Sequence, residues 1–208
     1  MSDTAGGATP PGGAARPAPL GAILAGGRGS RLGGAKATAE VGGRPLLAWA
    51  LDALREAVPD VVVIAKPGTP LPACDAPVHR DEPTDFHPRH GIVAALRRAG
   101  DRPVVVVPCD MPLVPPALLE VLLEVVDDGA PAAMPRSEGR VHPLCAAYAP
   151  SALADLEAAE RDEPLTLTLE RLGAVVLNAD AAADRMLNVN TPTDLVIAKL
   201  LLGRGGIA

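Results

Sequence analysis

Five short apolar runs, each followed by a segment of helical character, restrict the fold of this chain more than any other feature. The runs are continuous instead of alternating with polar residues, which is typical of parallel strands buried on both faces. They are Leu20–Ala25, Val61–Ala65, Val104–Pro108, His142–Tyr148 and Ala174–Asn178. We therefore predict an α/β fold with three layers, in which a mostly parallel central sheet is covered by helices on both faces.

Helical spacing of apolar residues follows each strand-like run. The predicted helices cover residues 45–58, 91–100, 115–129, 150–160 and 191–201, and Pro192 is suited to the first turn of the last one. Proteins built on such sheets bind their ligands at the carboxyl ends of the strands. We therefore expect functional residues directly after Ala25, Ala65, Pro108 and Asn178.

The length of 208 residues fits one domain. We predict a disordered tail over residues 1–19, a folded domain over 20–202 and a flexible tail over 203–208, because the first segment is rich in Gly, Pro and Ala. With a single Trp, Tyr and Phe, the core must be built from Ala, Val and Leu.

Charge and cysteine content narrow the class of protein. A formal net charge of −6 argues against a nucleic-acid partner, because proteins that bind nucleic acids normally carry a basic face. No apolar run approaches the roughly 18–20 residues of a membrane span, and the beginning of the chain lacks a signal-peptide pattern. The three scattered cysteines fit reduced thiols, so we expect a cytoplasmic protein.

The segment behind the first strand, Leu24–Lys36, reads LAGGRGSRLGGAK. It holds five glycines and three cations but no acid. Glycines let backbone N–H groups approach phosphate oxygens closely. Arg31 can fork across two such oxygens, and Lys36 adds a point charge on a flexible stem. The segment therefore predicts a phosphate-binding loop.

Two common phosphate loops do not fit. The glycine spacing is not GxGxxG, and the next strand ends in Ala65-Lys66-Pro67 without the acid that holds a ribose in dehydrogenases. An ATPase loop places GK before Ser or Thr, whereas Lys36 lies between Ala35 and Ala37. A glycine-rich turn without a ligand remains the plain alternative, which the clustered cations disfavour.

LAGGRGSRLGGAK resembles the signature loop of nucleotidyltransferases that activate small molecules with a nucleoside triphosphate, which reads roughly LAGG-x-S-x-R-M-G-x-x-K. Leu32 replaces the usual Met. These enzymes share a Rossmann-like sheet, so the resemblance implies that fold. In the segment VVPCDMPLVPP, Asp110 follows a strand end, where a carboxylate facing the cations of the loop is suited to Mg²⁺. Capping of the helix that begins near Pro116 is the other interpretation of Asp110.

Together with HPLCAAY and LNVNTPTDL (residues 187–195), these segments resemble the molybdenum cofactor guanylyltransferase family, from Leu20 to about Leu200. That resemblance implies Mg²⁺-dependent transfer of GMP from GTP to molybdopterin, with release of pyrophosphate. It also implies GTP and a molybdopterin-type acceptor as partners, a molybdoenzyme or a cofactor chaperone as recipient of the product, and neither nucleic acid nor membrane.

The resemblance also implies roles for individual residues. Catalysis would rest on Arg31 and Lys36 at the triphosphate and on Asp110 at Mg²⁺. The nucleotide would further be bound by Leu24, Ala25, Gly26, Gly27, Lys66 and Asp81. The acceptor would be bound by Asn188, Asn190 and His142, with the two asparagines also near the metal. The two asparagines are also common in local turns, and His142 is equally compatible with an ordinary turn.

Three departures from the family pattern leave alternatives open. The spacing before Lys36 is one residue short, as in the related cytidylyltransferases; Lys66 stands where an asparagine is frequent; and HPRHG places Arg89 and His90 at the rim of the cleft. Cytidylyl transfer from CTP to the same cofactor is therefore one alternative, and a non-catalytic nucleotide-binding module is another. Zinc at His79, His87 and His90 is disfavoured, because no cysteine lies at ligand spacing.

Overall fold

The computed structural model describes residues 16–26, 36–80 and 87–205, and within these ranges strands and helices largely alternate. The strands are β1 (Leu20–Leu24), β2 (Glu40–Val41), β3 (Arg44–Pro45), β4 (Asp60–Ala65), β5 (Val78–Arg80), β6 (Val104–Pro108), β7 (Ala132–Ser137), β8 (Arg140–Val141), β9 (Ala146–Tyr148) and β10 (Val175–Asn178). The α-helices are α1 (Leu46–Ala57), α2 (Arg89–Ala99), α3 (Pro116–Asp127), α4 (Ala152–Ala158), α5 (Leu165–Leu172) and α6 (Pro192–Gly205).

Seven of these strands form one sheet in the order β10-β7-β9-β6-β1-β4-β5, and β8 pairs with β7. The strands β1, β4, β5 and β6 are parallel to one another, and β10 is parallel to β7. Strand β9 runs antiparallel to both of its neighbours. The mostly parallel sheet predicted from the continuous apolar runs is confirmed.

Helices cover both faces of this sheet. Along β1, Ile23 packs with α1 and α3, whereas Ala22 packs with α2, α4 and α5, because successive side chains of a strand point to opposite faces. The three-layer arrangement is therefore confirmed. A third hydrophobic cluster joins Val41, Leu46 and Leu113 to two residues near the end of the chain, Val189 and Ala198.

Gly21 in β1 allows the end of α1 to pack directly on the sheet. A Cβ at this position would lie 2.8 Å from Val58 Cγ2 and 3.1 Å from Leu54 Cδ2. Val58 and Leu54 are buried, so they have little room to move away.

Gly21→Ala is therefore expected to lower the free energy of unfolding by about 1–3 kcal/mol, as overpacking of a core does. Urea unfolding followed by circular dichroism measures this change. Gly203→Ala is the matched control, because a Cβ on Gly203 in α6 meets nothing within 4 Å. Alanine there should stabilise the helix by up to about 1 kcal/mol. A Gly21→Ala protein as stable as the unsubstituted chain would contradict the close packing.

Part of one predicted strand is a turn. His142–Tyr148 was expected to be continuous, but only Ala146–Tyr148 is extended. The amide of Cys145 donates to the carbonyl of His142 at 3.0 Å, which closes a turn before β9. Strands β2, β5, β7 and β8 and helix α5 lie outside the predicted elements, and β3 overlaps the predicted start of the first helix.

The ends of the described chain differ from the predicted boundaries. Helix α6 continues to Gly205, so residues 203–205 belong to the helix and not to a tail. The guanidinium of Arg16, in the predicted N-terminal tail, donates to the carbonyl of Asp127 at the end of α3. Residues 1–15 and 206–208 lie outside the described ranges. Within those ranges, no helix has the length and apolar composition needed to cross a membrane.

Candidate active site

Three polar side chains from distant parts of the sequence meet beside the carboxyl end of β6. The ammonium of Lys36 donates to Asp110 Oδ2 at 2.6 Å and also to Asn190 Oδ1. The side chains of Lys36 and Asp110 are only 23% and 13% exposed, so solvent screens their attraction weakly. The sequence predicted Lys36 at the triphosphate and Asp110 at Mg²⁺ on facing sides of one cleft, and the fold brings the two side chains into direct contact.

The position of Asp110 follows from the end of β6. The amide of Cys109 continues the ladder to the carbonyl of Leu24 at 3.1 Å, and the carbonyl of Asp110 accepts the amide of Val189 at 2.7 Å. Helix α3 begins six residues later at Pro116, without a side-chain cap. Helix capping, the alternative interpretation of Asp110, is therefore wrong.

The segment that carries Lys36 is fixed by the elements that follow it. Lys36 begins a single 3-10 turn over Lys36–Thr38, in which Ala37 is buried. The carbonyl of Lys36 accepts the amide of Ala39 at 3.2 Å, and the carbonyl of Ala39 accepts the first amide of α1 at 2.8 Å. The backbone of Lys36 is thus tied to the start of helix α1.

A cavity of about 400 Å³ opens at the carboxyl ends of β1, β4 and β6, and Lys36 and Asp110 lie in its wall. This is the edge of the sheet at which parallel strands present ligands. Functional residues were also expected directly after Asn178, the last residue of β10, but no residue of 175–187 lines the cavity. Two strands, β7 and β9, separate β10 from β6, which places Asn178 toward the far edge.

Most of the predicted nucleotide-binding residues that the structure describes line this cavity: Leu24, Gly26, Lys36 and Lys66. A Cβ on Gly26 would lie 3.5 Å from Lys66 Cγ, so the first glycine of the loop and this lysine are neighbours. Ala25 is buried, and its amide donates to the carbonyl of Ile64 at 2.8 Å. Gly27, Arg31 and Asp81 lie outside the described residues.

Another part of the wall contains two of the predicted acceptor-binding residues, His142 and Asn188. His142 Nε2 lies 3.2 Å from the hydroxyl oxygen of Ser137. Burial, and secondarily the charge of Arg140, lowers the pKa of His142, so its imidazole is neutral at pH 7. Arg140 also lines the cavity; sequence reasoning missed it, although it lies only two residues before His142.

The HPRHG segment is placed differently from the prediction. Arg89, expected at the rim of the cleft, is only 5% exposed, and its guanidinium donates to the carbonyl of Glu160 at 2.9 Å. His87 lines the cavity instead, together with Gly91. Burial lowers the pKa of His87, and the charge of Arg89 lowers it further. This histidine is therefore uncharged at pH 7.

Two thiols, Cys109 and Cys145, also line the cavity. Burial raises the pKa of each to about 12, and the charge of Asp110 adds to the effect on Cys109. Both thiols are therefore protonated at pH 7, and neither is an activated nucleophile. Charge in the described part of the site comes from Lys36, Lys66, Asp110 and Arg140.

Comparison with known families decides between the classes of phosphate-binding fold. The family described as the MobA-like NTP transferase domain matches residues 21–176, about three quarters of the chain. The chain belongs to this family. As a family member it is a nucleotidyltransferase, and the phosphate-binding interpretation of the loop after β1 agrees with this assignment.

Relatives of this nucleotidyltransferase share most of its length. It is 36% identical over 194 residues to a molybdenum cofactor guanylyltransferase of Cereibacter sphaeroides, covering 88% of this chain and 96% of that protein. It is 35% identical over 185 residues to one of Ectopseudomonas mendocina, covering 86% and 90%. Among solved structures, a molybdopterin-guanine dinucleotide biosynthesis protein A from Archaeoglobus fulgidus superposes with a TM-score of 0.73 at 29% identity, covering 89% and 99%.

Proposed function

We propose that this nucleotidyltransferase moves GMP from GTP to molybdopterin and releases pyrophosphate. The observation that carries the proposal is the contact between Lys36 and Asp110 in the wall of the cavity, in a chain 36% identical to a guanylyltransferase. A lysine and an aspartate at the carboxyl edge of a parallel sheet supply the charges that a triphosphate and its metal need.

In the proposed reaction, a terminal phosphate oxygen of the acceptor attacks the α-phosphorus of GTP. The new bond joins that oxygen to the α-phosphorus, the bond to the bridging α,β-oxygen breaks, and pyrophosphate leaves with the electron pair. The attacking phosphate is already an anion, so the protein needs no general base. Its residues act by positioning and by neutralising charge, with the ammonium of Lys36 at the phosphates.

Mg²⁺ is the metal we propose for this site, and the donor atoms fit it. Asp110 offers a carboxylate, and Asn188, a residue with a side-chain amide, lines the same cavity. Among the residues that the structure describes, no three His, Cys, Asp or Glu side chains cluster as a dedicated metal cage. Mg²⁺ commonly takes one or two carboxylates and completes its shell with phosphate oxygens and water. When bound, it would stabilise the charge that develops on the phosphates.

We assign the remaining residues to two sides of the cavity. Leu24, Gly26 and Lys66 would contact the nucleotide, and Asn188 and His142 the acceptor; Ala25, Gly27, Arg31 and Asp81 stay predictions for the nucleotide. Asn190, expected near the metal and the acceptor, accepts a hydrogen bond from Lys36, which supports a role beside the phosphates. A cytoplasmic location and a molybdoenzyme or a cofactor chaperone as recipient belong to the same proposal.

The base of the nucleotide is tested by thermal unfolding of the full chain with each of the four nucleoside triphosphates and Mg²⁺. A ligand that binds only the folded state at 100 times its Kd stabilises it by about 2.7 kcal/mol. For a chain of this size, each kcal/mol raises Tm by roughly 2–4 °C. We expect that GTP produces the largest rise.

A rise with CTP alone would replace guanylyl with cytidylyl transfer, and no rise with any nucleotide would contradict nucleotide binding. Pyrophosphate release from GTP in the presence of molybdopterin and Mg²⁺ then tests catalysis. Binding of GTP without any release would favour the non-catalytic module.

A further inference from the structure

Asp194, in the first turn of α6, fixes the backbone of the residue that holds Lys36. Its Oδ2 accepts the amide of Asn190 at 2.9 Å and the amide of Thr191 at 2.8 Å. In return, the amide of Asp194 donates to Thr191 Oγ1 at 3.2 Å. The bonds between Thr191 and Asp194 form a reciprocal capping box, whereas the bond to Asn190 reaches one residue beyond it.

This extra bond continues into the active site. Asn190 Oδ1 accepts the ammonium of Lys36, and Lys36 in turn contacts Asp110. The backbone amide of the preceding residue, Val189, donates to the carbonyl of Asp110 at 2.7 Å. Asp194 is not among the residues that line the cavity. Any effect of Asp194 on the proposed phosphates is therefore indirect and passes through Asn190.

The negative charge of Asp194 is suited to holding the backbone amides of Asn190 and Thr191. The amide of Asn190 and the groups of Thr191 lower the pKa of its carboxyl, so the carboxylate is the form present at pH 7. A carboxylate that accepts two adjacent amides holds them more firmly than a neutral oxygen does. Asn190 is consequently fixed on both sides, by Asp194 at its backbone and by Lys36 at its side chain.

We propose that Asp194 is a positioning residue of the nucleotidyl-transfer site, which sets the location of the Lys36 ammonium through Asn190. The effect on turnover rests on the proposed function; the effect on Lys36 does not. A residue outside the cavity thereby acts on the charge that meets the phosphates, and helix α6 takes part in the site as well as in packing.

The competing explanation is that Asp194 only caps helix α6. Substituting Asp194 and Thr191 separately distinguishes capping from positioning, because only Asp194 bonds Asn190. Asp194→Ala removes the acceptor for Asn190 and for Thr191. Thr191→Ala removes only the reciprocal bond to the amide of Asp194, and leaves the bond from Asn190 in place. Both substitutions should lower Tm, because loss of a cap typically costs about 1 kcal/mol, equivalent to roughly 2–4 °C here.

The Lys36 side chain is measured directly by NMR of the full chain labelled at lysine Cε. The sequence contains three lysines, Lys36, Lys66 and Lys199, so the spectrum is simple, and Lys36→Arg assigns one signal. We expect Asp194→Ala to shift and narrow the Lys36 signal, because the bond to Asn190 is loosened while the contact with Asp110 remains, whereas Thr191→Ala leaves the signal in place. Lys199, exposed on α6, reports on the helix itself in the same spectrum.

An unchanged Lys36 signal in Asp194→Ala, or equal movement in both variants, would overturn the proposal. Asn190→Ala should reproduce the change, and adding Asp194→Ala to it should change little more, because residues acting through one path are not additive. Additive effects would also overturn it.

Turnover gives a second, separate measurement. Asp194→Ala is expected to lower kcat/KM for GTP about tenfold, below the roughly 10²-fold that a 1 Å misplacement can cost, and Thr191→Ala less than twofold. Equal losses would overturn the positioning role. If the unsubstituted chain does not turn over GTP, the proposed function fails, and the Lys36 signal alone decides the role of Asp194.

Discussion

Asp110→Asn is expected to lower kcat for pyrophosphate release by roughly 10²–10³-fold, the usual cost of removing one electrostatic contact to a transition state. The substitution keeps the shape of the side chain and an oxygen that accepts from Lys36. It removes the carboxylate charge that we assign to Mg²⁺. The loss should therefore fall on catalysis, while the fold stays intact.

Initial rates at saturating GTP and acceptor measure this effect, and Tm checks the fold. Asp60→Asn is the matched control. Asp60 also pairs with a cation, Arg102 Nη1 at 2.7 Å, but it lies at the opposite, amino end of β4. Its loss should change kcat less than twofold and stability by at most about 1 kcal/mol. If Asp110→Asn kept more than half of the activity, the metal assignment would be wrong.

Lys36→Met is expected to lower kcat/KM for GTP by roughly 10²–10³-fold. The ammonium of Lys36, which contacts both Asp110 and Asn190, is the charge that we assign to the phosphates. Methionine retains most of the apolar stem and removes only the charge. The variant should also lose about 1–3 kcal/mol of stability, since Asp110 keeps its charge in a largely buried place without a partner.

Lys199→Met provides the control for this second prediction, because Lys199 is exposed on α6, outside the cavity. It should leave kcat/KM within twofold. The double variant Lys36→Met with Asp110→Asn should regain part of the lost stability, because it no longer buries an unpaired carboxylate. It should stay as inactive as either single variant. Full activity in Lys36→Met would contradict the role of its ammonium.

The elements that the sequence predicted well are those whose local pattern and tertiary environment agree. The runs at β1, β4 and β6 are continuous and apolar because these strands are buried in the centre of the sheet, and their ends gave the position of Asp110. Strand β5 is three residues long with every residue exposed, so no apolar run marks it. The Leu-Thr alternation at the start of α5 resembles a strand, whereas burial of Leu165 and Leu169 in the hydrophobic cluster around Ala22 favours the helix.

Individual site residues were predictable to different degrees. Asp110 lies two residues after the end of β6, and Lys36 ends the glycine-rich segment behind β1, so both were expected at the carboxyl edge of the sheet. The partner of Asn190 was not predictable, because 154 residues separate it from Lys36 and no local signal encodes that contact. Arg89 was misplaced for a related reason. A charged residue in a polar segment suggests exposure, whereas Arg89 is buried and its guanidinium bonds the carbonyl of Glu160, 71 residues away.

The third hydrophobic cluster bears on when the site exists during synthesis. It packs Val189 and Ala198 against Val41, Leu46 and Leu113. The residues that carry the proposed phosphate charges thus leave the ribosome early, while the asparagine that holds Lys36 and the helix that fixes it leave late. The sheet can begin to fold before helix α6 is translated, since its central strands are complete by Pro108. The contacts around Lys36 are complete only when the last helix has been added. The bond between Lys36 and Asn190 can therefore form only after the last tenth of the chain has been translated.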